Sequence, residues 1–158
     1  MKMEKIQTEI LKAVLKDPMK VICHETPDGA GWLVTTNKCV VYNIPTHQLR
    51  VDLNLCQRSM GLPDLFERAD ETYLNRPLTP TDHYRRGGTA QRFLYHDRED
   101  CPIYVDTKLL AIFDSPELHM IGDYNPKGLL AVVEYQMEDD PTIVGILCPV
   151  SIKEDQNN

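Results

Sequence analysis

The chain has 158 residues, which suits one domain with its own hydrophobic core. Its 42% hydrophobic and 26% charged residues are typical of a globular protein. The longest apolar stretches, residues 128–133 and 143–150, are strand-sized, whereas a membrane-spanning helix needs about 20 residues. The N-terminal residues carry charges where a signal peptide has an apolar core. We therefore expect a cytoplasmic protein with no membrane partner.

The formal net charge of −7 argues against a protein that grips nucleic acid with its whole surface. The charges are uneven, because residues 1–20 carry five lysines against three acidic residues, whereas residues 134–140 are mainly acidic. A local basic surface near the N-terminus therefore remains compatible with the composition.

Motifs that support catalysis or metal binding are missing from the sequence. The five cysteines include no C-x-x-C pair and are interpreted as small apolar fillers or inert thiols of a reduced protein. None of the five histidines pairs with Cys, Asp or Glu at a metal-ligand spacing, and no Walker, G-x-G-x-x-G or G-x-S-x-G motif occurs. We predict no catalytic residues, no metal and no cofactor.

The first third of the chain predicts one helix followed by three strands. Residues 7–16 predict an amphipathic helix, because apolar side chains recur at helical spacing. Ile6 and Ile10 lie on the predicted buried stripe, and Leu11 and Leu15 widen it. Thr8 is a candidate cap. Residues 1–5 fit either a short strand or the start of this helix. Turn residues separate three β-like runs at 19–24, 31–36 and 38–44, which predicts an antiparallel meander.

The middle of the chain, residues 45–91, is predicted to be an irregular insertion. Residues 62–71 favour a short helix, and the two prolines and two glycines of residues 76–90 predict a loop.

The last third repeats the pattern of the first. Residues 92–96 and 102–105 predict a hairpin, Asp106 is a good N-cap for a helix over 107–113, and strands are predicted at 117–124, 128–135 and 142–152. Residues 153–158 form a polar tail outside the single domain of residues 1–152. The order strand, helix, three strands thus occurs twice, and predicts an α+β fold in which an antiparallel sheet carries two helices on one face.

Several of these segments resemble one domain of a DNA sliding clamp, the β subunit of bacterial DNA polymerase III. The start MKM followed by EILKAVL resembles its opening strand and helix, YVDTKLL its last strand-to-helix entry, LLAVVE its penultimate strand and GILCPV its closing strand. The resemblance covers about half of the chain, at both ends. A clamp encircles DNA with several such domains, so the resemblance implies that a single domain assembles with further copies.

The resemblance implies that the two helices face DNA. Lys5, Lys12 and Lys16 share one stripe of the first helix and Lys108 extends it from the second, a placement that suits phosphate contacts. The alternative is that these lysines form only the solvated face of an amphipathic helix.

Two further segments are candidates for binding a protein partner. The resemblance assigns Pro149 and Val150 to a peptide-binding pocket, with a plain core or edge strand as the alternative. Tyr84, Arg85 and Arg86 precede two glycines and suit a phosphate or an acidic partner, with a solvated loop as the alternative.

We therefore predict a non-enzymatic binding protein, a clamp-like accessory of DNA replication or processing. The alternatives are a protein interaction module that does not bind DNA and, third, an enzyme with a site around His83, Arg85 and Arg86.

Overall fold

The computed structural model describes residues 1–72 and 76–152, so the predicted polar tail, residues 153–158, lies outside the described residues. Within them are three α-helices, α1 (Met3–Lys16), α2 (Gly61–Thr72) and α3 (Thr107–Leu110). Ten strands accompany them: β1 (Ile22–Glu25), β2 (Gly31–Thr35), β3 (Val40–Pro45), β4 (Gln57–Arg58), β5 (Thr79–Arg85), β6 (Ala90–Leu94), β7 (Pro102–Asp106), β8 (Glu117–Met120), β9 (Leu130–Tyr135) and β10 (Pro141–Leu147). The predicted α+β class is confirmed. None of the described helices has the length and apolar character needed to cross a membrane.

The first helix begins earlier than its apolar pattern suggested. Residues 3–5 are helical, so no strand precedes α1. Thr8 lies inside the helix, where its hydroxyl donates a hydrogen bond to the Glu4 carbonyl oxygen (2.8 Å), and it is not the cap. The helix ends at Lys16. Asp17 follows with an extended backbone before Pro18, and its carboxylate accepts a hydrogen bond from the Met19 amide (3.2 Å).

Seven strands form one large sheet in the order β4-β1-β2-β3-β10-β9-β8. Neighbouring strands are antiparallel except for β1 and β4, which are parallel, so the sheet is mixed and not purely antiparallel as predicted. Two antiparallel meanders, β1-β2-β3 and β8-β9-β10, meet where β3 pairs with β10. Three residue pairs join them, including Gly145 with Tyr42 and Leu147 with Val40.

Side chains alternate between the two faces of this sheet, and each face carries its own core. On one face Val132 and Leu130 pack with Ile6 and Ile10 of α1 and with Ile112 and Phe113 after α3. On the other face Ala131 and Val133 pack with Leu65, Phe66 and Ala69 of α2. The helices α1 and α3 therefore share one face of the sheet, and α2, a helix that the sequence also predicted, covers the opposite face.

A small antiparallel sheet, in the order β5-β6-β7, contributes Phe93, Ile103 and Val105 to the core on the α1 side. Its first strand corrects the prediction of a loop over residues 76–90. The same correction applies to the irregular insertion at residues 45–91, which contains β4, α2 and β5. The sequence does not predict β5, because this edge strand has polar, mostly exposed side chains. Its pairing also shifts register between Pro80 and Tyr84.

The duplicated element order is not confirmed. The second helix, predicted over residues 107–113, is one turn long, Thr107–Leu110, and no strand stands before the first. The Asp106 cap does form, since its carboxylate accepts a hydrogen bond from the Lys108 amide (2.8 Å).

Three of the five cysteines are buried, as expected of small apolar fillers, and all five are free thiols. Cys23, Cys56 and Cys101 are buried, but Cys39 is exposed and Cys148 is partly so. Burial raises the pKa of the Cys23 thiol to about 11, against a smaller lowering by Arg58.

Candidate binding surfaces on the helix side

The exposed side of α1 carries the predicted DNA-contacting residues in a single band. At about 100° per residue, Lys5, Lys12 and Lys16 point within about 40° of one another around the helix axis. All three side chains are exposed. We call these three residues the lysine stripe.

Glu9 lies at a similar angle around the helix axis but does not interrupt the lysine stripe. The residue is half-buried, and its Oε2 atom is shielded from solvent. It lies close enough to the buried phenol of Tyr42, on the sheet beneath α1, to affect its ionisation. Burial raises the pKa of Tyr42, and the negative charge of Glu9 raises it further. The carboxylate thus points towards the protein interior, and the stripe presents positive charge to solvent.

The two helices of this face are tied together at their ends. The Lys2 amide donates a hydrogen bond to the Ile112 carbonyl oxygen (2.8 Å), just beyond α3. The amino group of Met1 pairs with the Glu134 carboxylate (2.8 Å) and with Asp114. Lys108, the fourth predicted DNA-contacting residue, is exposed on α3. All four lysines are thus solvent-accessible on elements that cover the same sheet face.

A second, apolar feature lies on the other flank of α1. Leu11 and Leu15 are 46% and 77% exposed, so the prediction that they widen the buried stripe is wrong. They point roughly 100° away from the lysine stripe around the helix. Their angular distance from Ile6 was the sequence signal that separates them from the core. We call them the leucine pair.

Leu11 also lines a groove of about 680 Å³ between α1 and the segment that follows β3. Gln7 connects the two walls of the groove. Its side-chain amide donates a hydrogen bond to the Gln48 carbonyl oxygen (2.8 Å) and accepts one from the Arg50 amide (2.7 Å). The remaining groove residues are Met3, Glu4, Thr8, His47 and Val51. Sequence reasoning missed this groove, since residues 46–51 carry no pattern that places them beside the helix.

The predicted partner-binding residues Tyr84, Arg85 and Arg86 lie at the end of the β5–β6 hairpin, and not in a long loop. Tyr84 is 48% exposed and Arg85 closes the strand opposite Ala90. Arg86 turns with a φ of 53°, and its guanidinium donates to the Ser151 carbonyl oxygen (2.9 Å). The tight turn is compatible with the glycines that follow, both of which also have positive φ.

The other two predicted partner-binding residues, Pro149 and Val150, lie on the same side as Arg86. The Val150 amide donates to the Tyr104 carbonyl oxygen (2.7 Å), which continues the pairing along β7. Val150 lines a cleft of about 320 Å³ together with Tyr104, Tyr124 and Pro126. The structure thus brings Arg86 and Val150 to one neighbourhood through Ser151, well separated in sequence from the lysine stripe.

The residues of the alternative site, His83, Arg85 and Arg86, line none of five clefts on the surface of the described residues. Across residues 1–72 and 76–152, no three or more His, Cys, Asp or Glu side chains are grouped as metal binding requires.

No protein-family model, no curated protein and no solved structure matches the chain.

Proposed function

We propose that this chain is a non-enzymatic binding protein that contacts DNA through the lysine stripe of α1, as an accessory of DNA replication or processing. The observation that carries the proposal is the arrangement of Lys5, Lys12 and Lys16 as one exposed band free of carboxylate interruption, on the sheet face that also carries Lys108. Lysine ammonium groups on such a band neutralise successive phosphates, and the release of counterions drives binding. The resemblance to a sliding-clamp domain supports the same surface.

The test is salt-dependent binding to a fluorescein-labelled DNA duplex, measured by anisotropy. Replacing Lys5 and Lys12 with glutamate should weaken binding and lower the slope of log K against log salt by about 2, since each lost phosphate contact reduces it by about 1. The matched control reverses Arg98 and Lys127, two exposed basic residues outside the helix face. Its binding should stay closer to that of the unaltered chain. Equal loss in both variants, or no binding by the unaltered chain, contradicts the proposal.

The alternative function is a protein interaction module that does not bind DNA. Its supporting observation is the leucine pair beside the 680 Å³ groove, because solvent-facing leucines next to a concave surface are typical of docking sites. Here a specific protein should co-purify with the chain in the absence of nucleic acid, and replacing Leu11 and Leu15 with serine should release it. The double glutamate variant of the lysine stripe should retain it. Release by the lysine variant, with retention by the leucine variant, would contradict docking at the leucine pair.

A further inference from the structure

A basic groove lies at one end of the large sheet, away from the lysine stripe. It has a volume of about 420 Å³ and forms between the start of β1 and the turn that joins β2 to β3. Lys20 and Lys38 line it with Met19, which is 60% exposed, and no carboxylate lines it among the described residues. The groove is positively charged although the chain has a net charge of −7. The groove therefore suits a binding partner that has both negative charge and apolar side chains.

The position of Lys38 in this groove is fixed by its turn. The residue has a φ of 64°, and its amide donates a hydrogen bond to the Thr35 hydroxyl (3.1 Å). The next amide, that of Cys39, donates to the Asn37 side chain (2.9 Å). These bonds hold the backbone of the turn. The Lys38 side chain therefore extends from a defined position beside the groove.

The turn between β9 and β10 has the complementary character. Met137 is 72% exposed and is followed by the exposed acids Glu138, Asp139 and Asp140. The turn is ordered by backbone hydrogen bonds from Gln136 to Asp140 and from Asp140 to Met137, both 3.1 Å. We call residues 136–140 the acidic tip. It pairs one apolar side chain with three carboxylates, as the basic groove pairs Met19 with two lysines.

The acidic tip and the basic groove lie at opposite ends of the sheet. The turn before β3 lies beside the end of β10, because Val40 pairs with Leu147 and the Cys148 amide donates to the Cys39 carbonyl oxygen (2.9 Å). The acidic tip precedes the other end of β10, at Pro141. At about 3.3 Å per residue the strand separates them by about 20 Å. The tip therefore cannot reach the groove of its own chain.

We propose that the acidic tip of one copy of this chain docks into the basic groove of a second copy. The contact is head-to-tail, because each copy offers a different surface at each end. Lys20 and Lys38 meet the carboxylates of the tip, and Met137 packs beside Met19. Charge complementarity between two surfaces of the same chain identifies a second copy as the partner, independently of DNA binding.

The test uses reversed charges on the full chain in sedimentation velocity. The groove variant carries Lys20→Glu and Lys38→Glu, and the tip variant carries Glu138→Lys and Asp139→Lys. The unaltered chain should self-associate with increasing concentration, and this should weaken as salt rises, since about 1 M salt screens charges beyond about 3 Å. Each variant alone should associate at least about tenfold more weakly, because like charges then face each other.

Mixing the two variants should restore association, because the unaltered tip of the groove variant then meets the unaltered groove of the tip variant. A control with Arg98→Glu and Lys127→Glu has the same charge as the groove variant and should associate like the unaltered chain. A monomer at all concentrations overturns the proposal. So does a mixture that associates no better than its components, which assigns the groove to a different acidic partner.

Discussion

The pairing of β3 with β10 leaves no room for a side chain at residue 145. An alanine Cβ there would lie 2.9 Å from the Val41 carbonyl oxygen and 3.2 Å from the Phe113 ring atom Cζ. Carbon atoms in ordinary contact are separated by about 3.5–4.0 Å, so the substitution compresses the junction of the two meanders. The φ angle of Gly145 is not in the left-handed region, so the effect of Gly145→Ala is one of space.

We expect Gly145→Ala to lower the free energy of unfolding by about 1–2 kcal/mol. Overpacking of a filled core costs about 1–3 kcal/mol, and the loss of glycine freedom in the unfolded chain offsets about 0.4–1 kcal/mol of it. Urea unfolding followed by fluorescence reports the change, because the single tryptophan, Trp32, lies in β2 beneath the Arg58 guanidinium. For a urea m-value of about 2 kcal/mol per M, the midpoint should fall by about 0.5–1 M.

A matched substitution and a second background sharpen the result. Gly61→Ala, at the exposed start of α2, meets only the Ser59 hydroxyl at 3.3 Å and should change stability by less than about 0.5 kcal/mol. In a Phe113→Leu background the cost of Gly145→Ala should persist, because the closest contact is to backbone. An unchanged or higher midpoint for Gly145→Ala refutes the steric reasoning, and full relief by Phe113→Leu assigns the cost to the ring.

Two other predictions concern the helix and the buried thiol. Ile10→Ala should lower the free energy of unfolding by about 2–5 kcal/mol, because the Ile10 side chain is fully buried. Leu15→Ala should change it by less than about 0.5 kcal/mol, because the Leu15 side chain is 77% exposed. Equal effects of the two substitutions in urea unfolding would contradict this orientation of the helix. The pKa of Cys23 is raised from 9.0 to about 11 by burial, so its contribution to stability is complete below pH 9 and declines as pH rises through 11. Over that range the unaltered chain should lose up to about 1.4 kcal/mol per pH unit more than Cys23→Ala does, and parallel pH profiles would show that the thiol stays solvated.

Periodicity was sufficient to predict α1 and six strands of the large sheet. Val40, Tyr42 and Ile44 alternate with half-buried neighbours, and that alternation is visible in the sequence. Short or polar elements were missed for a different reason. Strand β4 has two exposed residues and is defined by backbone pairing, such as the bond from the Gln57 amide to the Val21 carbonyl oxygen (2.9 Å). Such pairing depends on tertiary contacts that no local pattern records.

The surfaces were predictable to different degrees. Helical spacing is enough to place Lys5, Lys12 and Lys16 on one band, because it needs only the residue positions and the helix period. Helical spacing is not enough to orient the Glu9 side chain. A carboxylate at that angle points either to solvent or to the interior, depending on the residues of the sheet under the helix. The meeting of Arg86 with Ser151 depends on chain segments that are distant in sequence, and nothing local indicates it.

The junction between β3 and β10 also constrains how the chain folds. Its partners are far apart in sequence, as in the hydrogen bond from the Asn43 side chain to the Ile143 carbonyl oxygen, across 100 positions. Closing so long a loop costs entropy before the pairing returns any energy, and such contacts slow folding. During synthesis the meander β1-β2-β3 emerges long before β10, with the outer edge of β3 unpaired. That edge is the part of the nascent chain most exposed to pairing with another molecule until β10 arrives.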